Sequence, residues 1–363
     1  GALTLSGAAN SWNGTTNVSA GTMTLSGSLA TIGVINVNDS VLNITGNLTQ
    51  TISGGPRTLN LSQYANQNST INVSGSGIFN AGNGMLMGEE SATGARSFIN
   101  QSGGTINANG SVFMAGQNST ISVSGGTFNL GSSSLIMGVG TSVSTNSTLS
   151  VNGTGTVAMG YLELGKWSRN ATALTVNLGD GTVGGNLSIT NMSYGAGAGS
   201  GATTINFNGG TLTTNGTFSM ATQAATVVKS GGAIFNVVGA TTFTVSNNLT
   251  TDGTGGGLTK NGTGTLVLTG ANTYTGGTTV NAGTLTLGAA GASGVIRGNL
   301  VINSGATVSA NASGWSLGYG GTNAYTGPSV SSITINGTLN FTGTALQGGL
   351  AASTINMTGG TIS

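Results

Sequence analysis

Six carboxylates and seven Lys or Arg side chains are all the charge that 363 residues carry, so the chemistry open to this chain is narrow. The carboxylates are Asp39, Glu89, Glu90, Glu163, Asp180 and Asp252. Glycoside hydrolysis needs two of them facing one cleft, about 5–10 Å apart. Glu89 and Glu90 are adjacent and read as a solvated loop pair, while Glu163 lies near Lys166 and Arg169 and reads as half of a surface ion pair. Asp180 and Asp252 stand alone, so no aspartate cluster offers a calcium site. There is no His and no Cys, which removes histidine-based triads and the usual zinc and haem ligands. Gly195-Ala196-Gly197-Ala198-Gly199 lacks the Lys of a phosphate loop. The reading is a chain with no catalytic residue, no metal site and no cofactor. A net charge of +1 gives no cationic footprint for nucleic acid.

What could recognise something is a set of polar and aromatic residues between the periodic segments: Tyr64, Glu89, Glu90, Arg96, Lys166, Trp167, Arg169, Tyr194, Tyr319 and Tyr325. Brought to one edge, they would suit contact with sugar or protein, although exposed loops collect such residues anyway. Met87, Met114, Met137, Met159 and Met220 recur in a similar setting. Without Cys or His beside them they read as core filler rather than a soft-metal site. Asn-x-Ser/Thr triplets, as at Asn47, Asn72, Asn109 and Asn146, are frequent. The strand-and-turn pattern generates them by itself, with glycosylation as the alternative.

The elements that must position these residues are strands. Val34-Ile35-Asn36-Val37, Ile71-Asn72-Val73, Leu149-Ser150-Val151, Leu266-Val267-Leu268 and Ile333-Thr334-Ile335 place apolar residues two apart, the mark of a half-buried strand. The chain holds 68 Gly and only 2 Pro, which excludes collagen and makes helices costly. Gly-rich, charge-poor chains can be disordered, but disorder has no periodicity and would not carry 37% hydrophobic residues. No apolar run reaches the length of a membrane-spanning helix, and the lack of Cys leaves stability to packing and backbone ladders.

A repeat sets the topology. Ser102-Gly103-Gly104-Thr105-Ile106 matches Ser124-Gly125-Gly126-Thr127-Phe128, and Gly209-Gly210-Thr211-Leu212 matches Gly231-Gly232-Ala233-Ile234. Both spacings are about 22 residues, within the range of solenoids. Extra residues enter after a Met-Gly step, as from Met87-Gly88 to Phe98 and from Met137-Gly138 to Thr148. This predicts an all-β, parallel β-solenoid with variable corner loops, in which Phe79, Ile106, Phe128 and Leu212 point inward and Asn36, Asn72, Asn100 and Asn303 stack from coil to coil. About 15 coils at roughly 4.8 Å each would make a rod about 75 Å long. Residues 1–363 read as one continuous solenoid, beginning and ending in mid-pattern as part of a longer array.

Residues 255–288 read GGGLTKNGTGTLVLTGANTYTGGTTVNAGTLTLG. This stretch closely resembles the autotransporter-associated β-strand repeat of bacterial passenger regions. The resemblance implies a right-handed parallel β-helix exported to the cell surface. It brings no catalytic residue, because the repeat is a scaffold element.

Three functions are compatible with these residues. The first is a non-enzymatic structural or adhesive surface solenoid, self-assembling end to end or laterally, or contacting host or matrix carbohydrate or protein. The second is an ice-binding solenoid, from Thr-x-Thr pairs such as Thr242/Thr244, Thr273/Thr275 and Thr284/Thr286. The third is a carbohydrate-cleaving β-helix, which the scattered carboxylates disfavour.

Overall fold

The computed structural model describes residues 1–52, 57–89, 92–139, 145–165, 171–182, 184–195, 202–288, 296, 298–310, 332–341 and 354–362. These residues form strands and turns with no helix. Each strand pairs in parallel with its counterpart one coil further along, as Ala2–Leu5 does with Thr16–Leu25 and Leu300–Ile302 with Ser332–Ile335. The fold is a parallel β-solenoid. Branched residues at alternate positions produce it: Ala233–Val237, AIFNV, buries every second side chain and leaves the others half-exposed.

Two compact units divide the chain: Gly1–Asn177 with Gly185–Thr204, and Leu178–Gly184 with Ile205–Ser363. In the first, inward columns run through successive coils. One is Leu42, Ile71, Ile99, Ile121, Leu149, and another is Leu48, Phe79, Ile106, Phe128, Val157, Leu187. Every member of both is buried. A third passes through Leu61, Met87, Met114, Met137 and Leu164. Three of the five methionines thus stack as core filler, whereas Met159 stands in another column, facing Ile189.

In the second unit, Leu212, Phe235, Lys260, Val280, Ile302 and Ile335 share one inward column. Phe218, Phe243, Leu266, Leu285, Val308 and Leu339 share another. Phe235 packs edge-on against Phe207 at 5.1 Å and against Phe243 at 5.7 Å, so aromatic rings fill the core there. Met220 is buried in this unit, outside the methionine column of the first.

Coil length varies as the sequence suggests, because the strands stay fixed while corners lengthen. A coil takes Thr16 to Ile35 at one point and Leu300 to Ile333 at another. After Met114 the next strand begins at Asn118, whereas after Met87 it begins at Arg96 and after Met137 at Thr145. Polar side chains at inward positions bind the corner carbonyls. Gln101 Nε2 donates to Gly104 O at 3.1 Å and Thr127 O at 2.9 Å, and Asn247 Nδ2 donates to Ala221 O at 2.9 Å and Ala224 O at 2.6 Å.

Candidate functional site

Of the ten candidate edge residues, Tyr64, Glu89, Arg96 and Tyr194 are described, and Glu90, Lys166, Trp167, Arg169, Tyr319 and Tyr325 lie outside the described residues. Tyr64 sits in the turn between Leu59–Leu61 and Asn68–Val73 and is 65% exposed. Glu89 is half-buried, and its carbonyl accepts the Ala92 N–H at 3.0 Å. Arg96 opens the strand Arg96–Ala108 with its side chain exposed, and its N–H donates to Gln67 O at 2.8 Å. Successive corners are tied to one another: Asn66 N–H donates to Thr93 O at 2.9 Å, and Gly94 N–H donates to Gln117 Oε1 at 2.6 Å. The structure therefore stacks the turns that carry Tyr64, Glu89 and Arg96. Tyr194 belongs elsewhere. It ends the strand Asn186–Tyr194, half-buried and in register with Leu164 of the methionine column.

Four of the described carboxylates, Asp39, Glu163, Asp180 and Asp252, serve local structure. Asp252 Oδ1 accepts the Thr254 hydroxyl and its N–H, and these bonds, the hydroxyl first, hold the carboxyl below the usual aspartate value. Asp180 holds Thr182 in the same way, and Asp39 Oδ1 accepts the Asn68 N–H at 3.3 Å. Glu163 departs from the surface position expected of it. It is 7% exposed, and its Oε1 accepts the Ser134 hydroxyl at 2.8 Å. The reason is its column: Glu163 faces Ile136, which follows Phe113 and Leu86, on an outer face that is itself covered. Leu86, Ile136, Ala115 and Val139 form a buried cluster there, with Phe113 against it and the Arg57 guanidinium 5.1 Å from the Phe113 ring centre. Sequence reasoning missed this second apolar layer. Its signal was present in Met85-Leu86-Met87, Val112-Phe113-Met114 and Leu135-Ile136-Met137, where three apolar residues in a row replace the alternation seen elsewhere.

Amide ladders cover other outward faces. Asn72 Nδ2 donates to Asn43 Oδ1 at 2.9 Å and Asn100 Nδ2 to Asn72 Oδ1 at 3.1 Å. Asn60, Asn36 and Asn17 repeat the arrangement, as do Asn303, Asn281 and Asn261 in the second unit. The second unit also carries a hydroxyl column, with Thr242, Thr265, Thr284, Thr307, Thr338 and Thr361 in register.

Two coils share a local device. In the first, Trp12 Nε1 donates to Thr16 Oγ1 at 2.6 Å; in the other, the Tyr274 hydroxyl bonds Thr278 Oγ1 at 2.6 Å. Each is an aromatic four residues before a threonine, within Leu5-Ser6-Gly7-Ala8 to Thr16 and Leu268-Thr269-Gly270-Ala271 to Thr278. Tyr274 is fully buried, which pushes its phenol well above the ordinary value. In the same coil Lys260 is fully buried at an inward position, and burial pushes its ammonium down to about 8. Its Nζ donates to the carbonyls of Asn261, Gly262 and Ala282 at 2.9, 2.8 and 3.1 Å.

The sequence profile of the passenger-associated-transport-repeat family matches residues 1–28 and 258–287, the two segments that contain this bond. These are autotransporter passenger repeats. The sequence reading found the second and missed the first, where Ala-Ala and Trp12 stand in place of the Ala271-Asn272-Thr273-Tyr274 spelling. The chain is also 46% identical over 91 residues to the adhesin BmaC autotransporter of Brucella suis biovar 1; the match covers 25% of this chain and 2% of that protein. No solved structure matches. Passenger repeats belong to the extracellular, cell-surface part of such proteins, and that is where this chain is located. Among the described residues, no helix is long and apolar enough to cross a membrane.

Proposed function

We propose that this chain is a non-enzymatic adhesive scaffold of a bacterial surface protein, contacting host or matrix material through side chains that its coils hold in fixed positions. The observation that carries the reading is the pair of passenger repeats in a parallel solenoid, together with similarity to a protein named as an adhesin. The non-enzymatic part is supported by the carboxylates, since Asp39, Asp180, Asp252 and Glu163 are each engaged in a turn or a covered face. A polysaccharide panel incubated with the chain should yield no new reducing ends or unsaturated products.

Beads coupled to the chain should be retained on cultured host cells or on matrix-coated surfaces. Retention equal to that of uncoated beads would overturn the adhesive reading. Tyr64 and Arg96 have exposed side chains on stacked corners, so the double variant Tyr64→Ala, Arg96→Ala should lower affinity about tenfold if that corner makes the contact. Self-assembly is a further part of the proposal, and sedimentation velocity across a range of concentrations tests it.

A second reading has one observation in its favour. The Thr-x-Thr pairs do not stack as pairs, but the first threonine of Thr242/Thr244 and of Thr284/Thr286 joins a column of six threonines, one per coil, in the second unit. A threonine column at the coil spacing of about 4.8 Å is the kind of flat hydroxyl surface that ice binding uses. The neighbouring outward column is mixed, running Thr244, Val267, Thr286, Ser309, which weakens that surface. Thermal hysteresis at the level of buffer would dismiss it.

A further inference from the structure

Along one outward face of the first unit, Ser11, Ala30, Thr49, Asn80, Asn107 and Asn129 stand in register, one per coil. Two concavities follow this column, one of about 440 Å³ and one of about 260 Å³, and Thr49 lines both. The larger falls within the range of small-ligand sites, about 300–1,000 Å³. Their walls consist of Asn, Gln, Ser, Thr, Ala, Gly and Leu, with no charged residue among them.

The amide ladder on this face is interrupted inside the larger concavity. Asn80 Nδ2 donates to Thr49 Oγ1 at 3.1 Å, and Asn107 Nδ2 donates to Asn80 Oδ1 at 2.8 Å. The next step is missing because Asn129 Oδ1 accepts the Gly131 N–H at 2.9 Å and its amide is drawn into the turn. Asn107 Oδ1 is thereby left without a donor and Asn129 Nδ2 without an acceptor among the described residues. The exposed Asn109 side chain beside them is likewise uncommitted. This stretch of the groove thus presents amide donors and acceptors that the fold itself does not use.

We propose that this groove binds an uncharged, linear glycan running along the coil-to-coil direction. Glycan hydroxyls both donate and accept, which matches a mixture of free amide oxygens, amide nitrogens and serine hydroxyls. The coils repeat these groups at about 4.8 Å, so a polymer with a repeat of that order meets similar partners at each step. The face of a sheet whose backbone groups are paired with neighbouring coils has no free N–H or C=O row, which removes the pairing an extended peptide would need. A wall without charge gives no reward to an acidic polysaccharide or to a nucleic acid. The proposal deepens the adhesive reading, on which it rests for taking the glycan to be a surface or matrix one.

Isothermal titration of the whole chain with cellohexaose, chitohexaose, maltohexaose and mannohexaose, beside hexagalacturonate and an uncharged extended peptide, tests it. At least one neutral hexasaccharide should bind with Kd below about 1 mM. Asn109→Ala, whose side chain holds nothing in the fold, should weaken binding at least about tenfold with an unchanged thermal midpoint, and Asn107→Ala should weaken it comparably while also losing the bond to Asn80. Asn100→Ala, on a different ladder, should leave binding intact. The proposal is overturned if no neutral hexasaccharide binds, if Asn109→Ala binds as the parent does, or if hexagalacturonate or the peptide binds best. The bead assay separates the two readings. Beads that adhere regardless of Asn109→Ala leave the adhesive reading standing without the groove; glycan binding by a chain whose beads do not adhere leaves the groove standing without adhesion.

Discussion

At Gly126 the backbone φ is +74°, and an added Cβ would run into the carbonyl oxygen of Gly104 one coil away. Gly131 also has a positive φ, +57°, but open space surrounds it. The two positions separate conformational strain from collision. Gly126→Ala should cost about 3 kcal/mol or more, combining strain and clash, while Gly131→Ala should cost about 1 kcal/mol from conformation alone. Urea unfolding midpoints of the two variants check this, and equal losses would mean that the corners relax around an added methyl. The Ser-Gly-Gly-Thr step was legible in the sequence as a repeat mark. Which of its glycines was sterically required was not, because that depends on the coil stacked next to it.

Tyr274 and Trp12 make the same bond to a threonine four residues on, in coils of different burial. Tyr274 is fully buried, whereas Trp12 is half-exposed. Removing the acceptor should therefore cost more in the second repeat. Thr278→Val leaves a buried phenol hydroxyl without its partner and should destabilise by about 1–3 kcal/mol, while Thr16→Val lets water reach the indole N–H and should cost about 1 kcal/mol or less. Differential scanning calorimetry of both variants is the measurement. The comparison also shows why one repeat was readable and the other was not. Residues 258–287 keep the spelling of the strands, the glycine turns and the aromatic; residues 1–28 keep the bond but insert Ala9 and replace the aromatic. Alternation revealed the strands, and its failure at Leu86, Phe113 and Ile136 was the unused sign that an outer face is covered. The same cover took Glu163 off the surface where the alternation would have placed it, and Lys166 and Arg169, the partners its sequence neighbourhood suggested, lie outside the described residues.

For the whole molecule, the scarcity of charge makes stability a matter of packing and ladders, and it makes the pH response simple to derive. With no His, few groups titrate between about pH 5 and 8, and stability should be nearly flat there and change by under about 0.5 kcal/mol between low salt and about 1 M NaCl. Above that window two buried groups of the second repeat act in opposite senses. Lys260 loses its proton near 8 in the folded chain and near 10.4 in the unfolded one. Between those values the unfolded state binds more protons, so stability rises with pH. Tyr274 behaves in reverse: its phenol is raised on folding, so above about pH 10 the unfolded chain sheds a proton that the folded chain keeps, and stability falls. Unfolding free energy against pH should therefore peak near pH 10. Lys260→Met should flatten the rising limb, while leaving the carbonyls of Asn261, Gly262 and Ala282 without their donor, a loss of about 1–3 kcal/mol at neutral pH. Tyr274→Phe should flatten only the falling limb. A profile that stays flat from pH 8 to about pH 10, with Lys260→Met removing part of the fall above it, would mean that the three carbonyls hold the Lys260 ammonium more tightly than burial disfavours it, and would make that lysine a fastening of the coil rather than a strain within it.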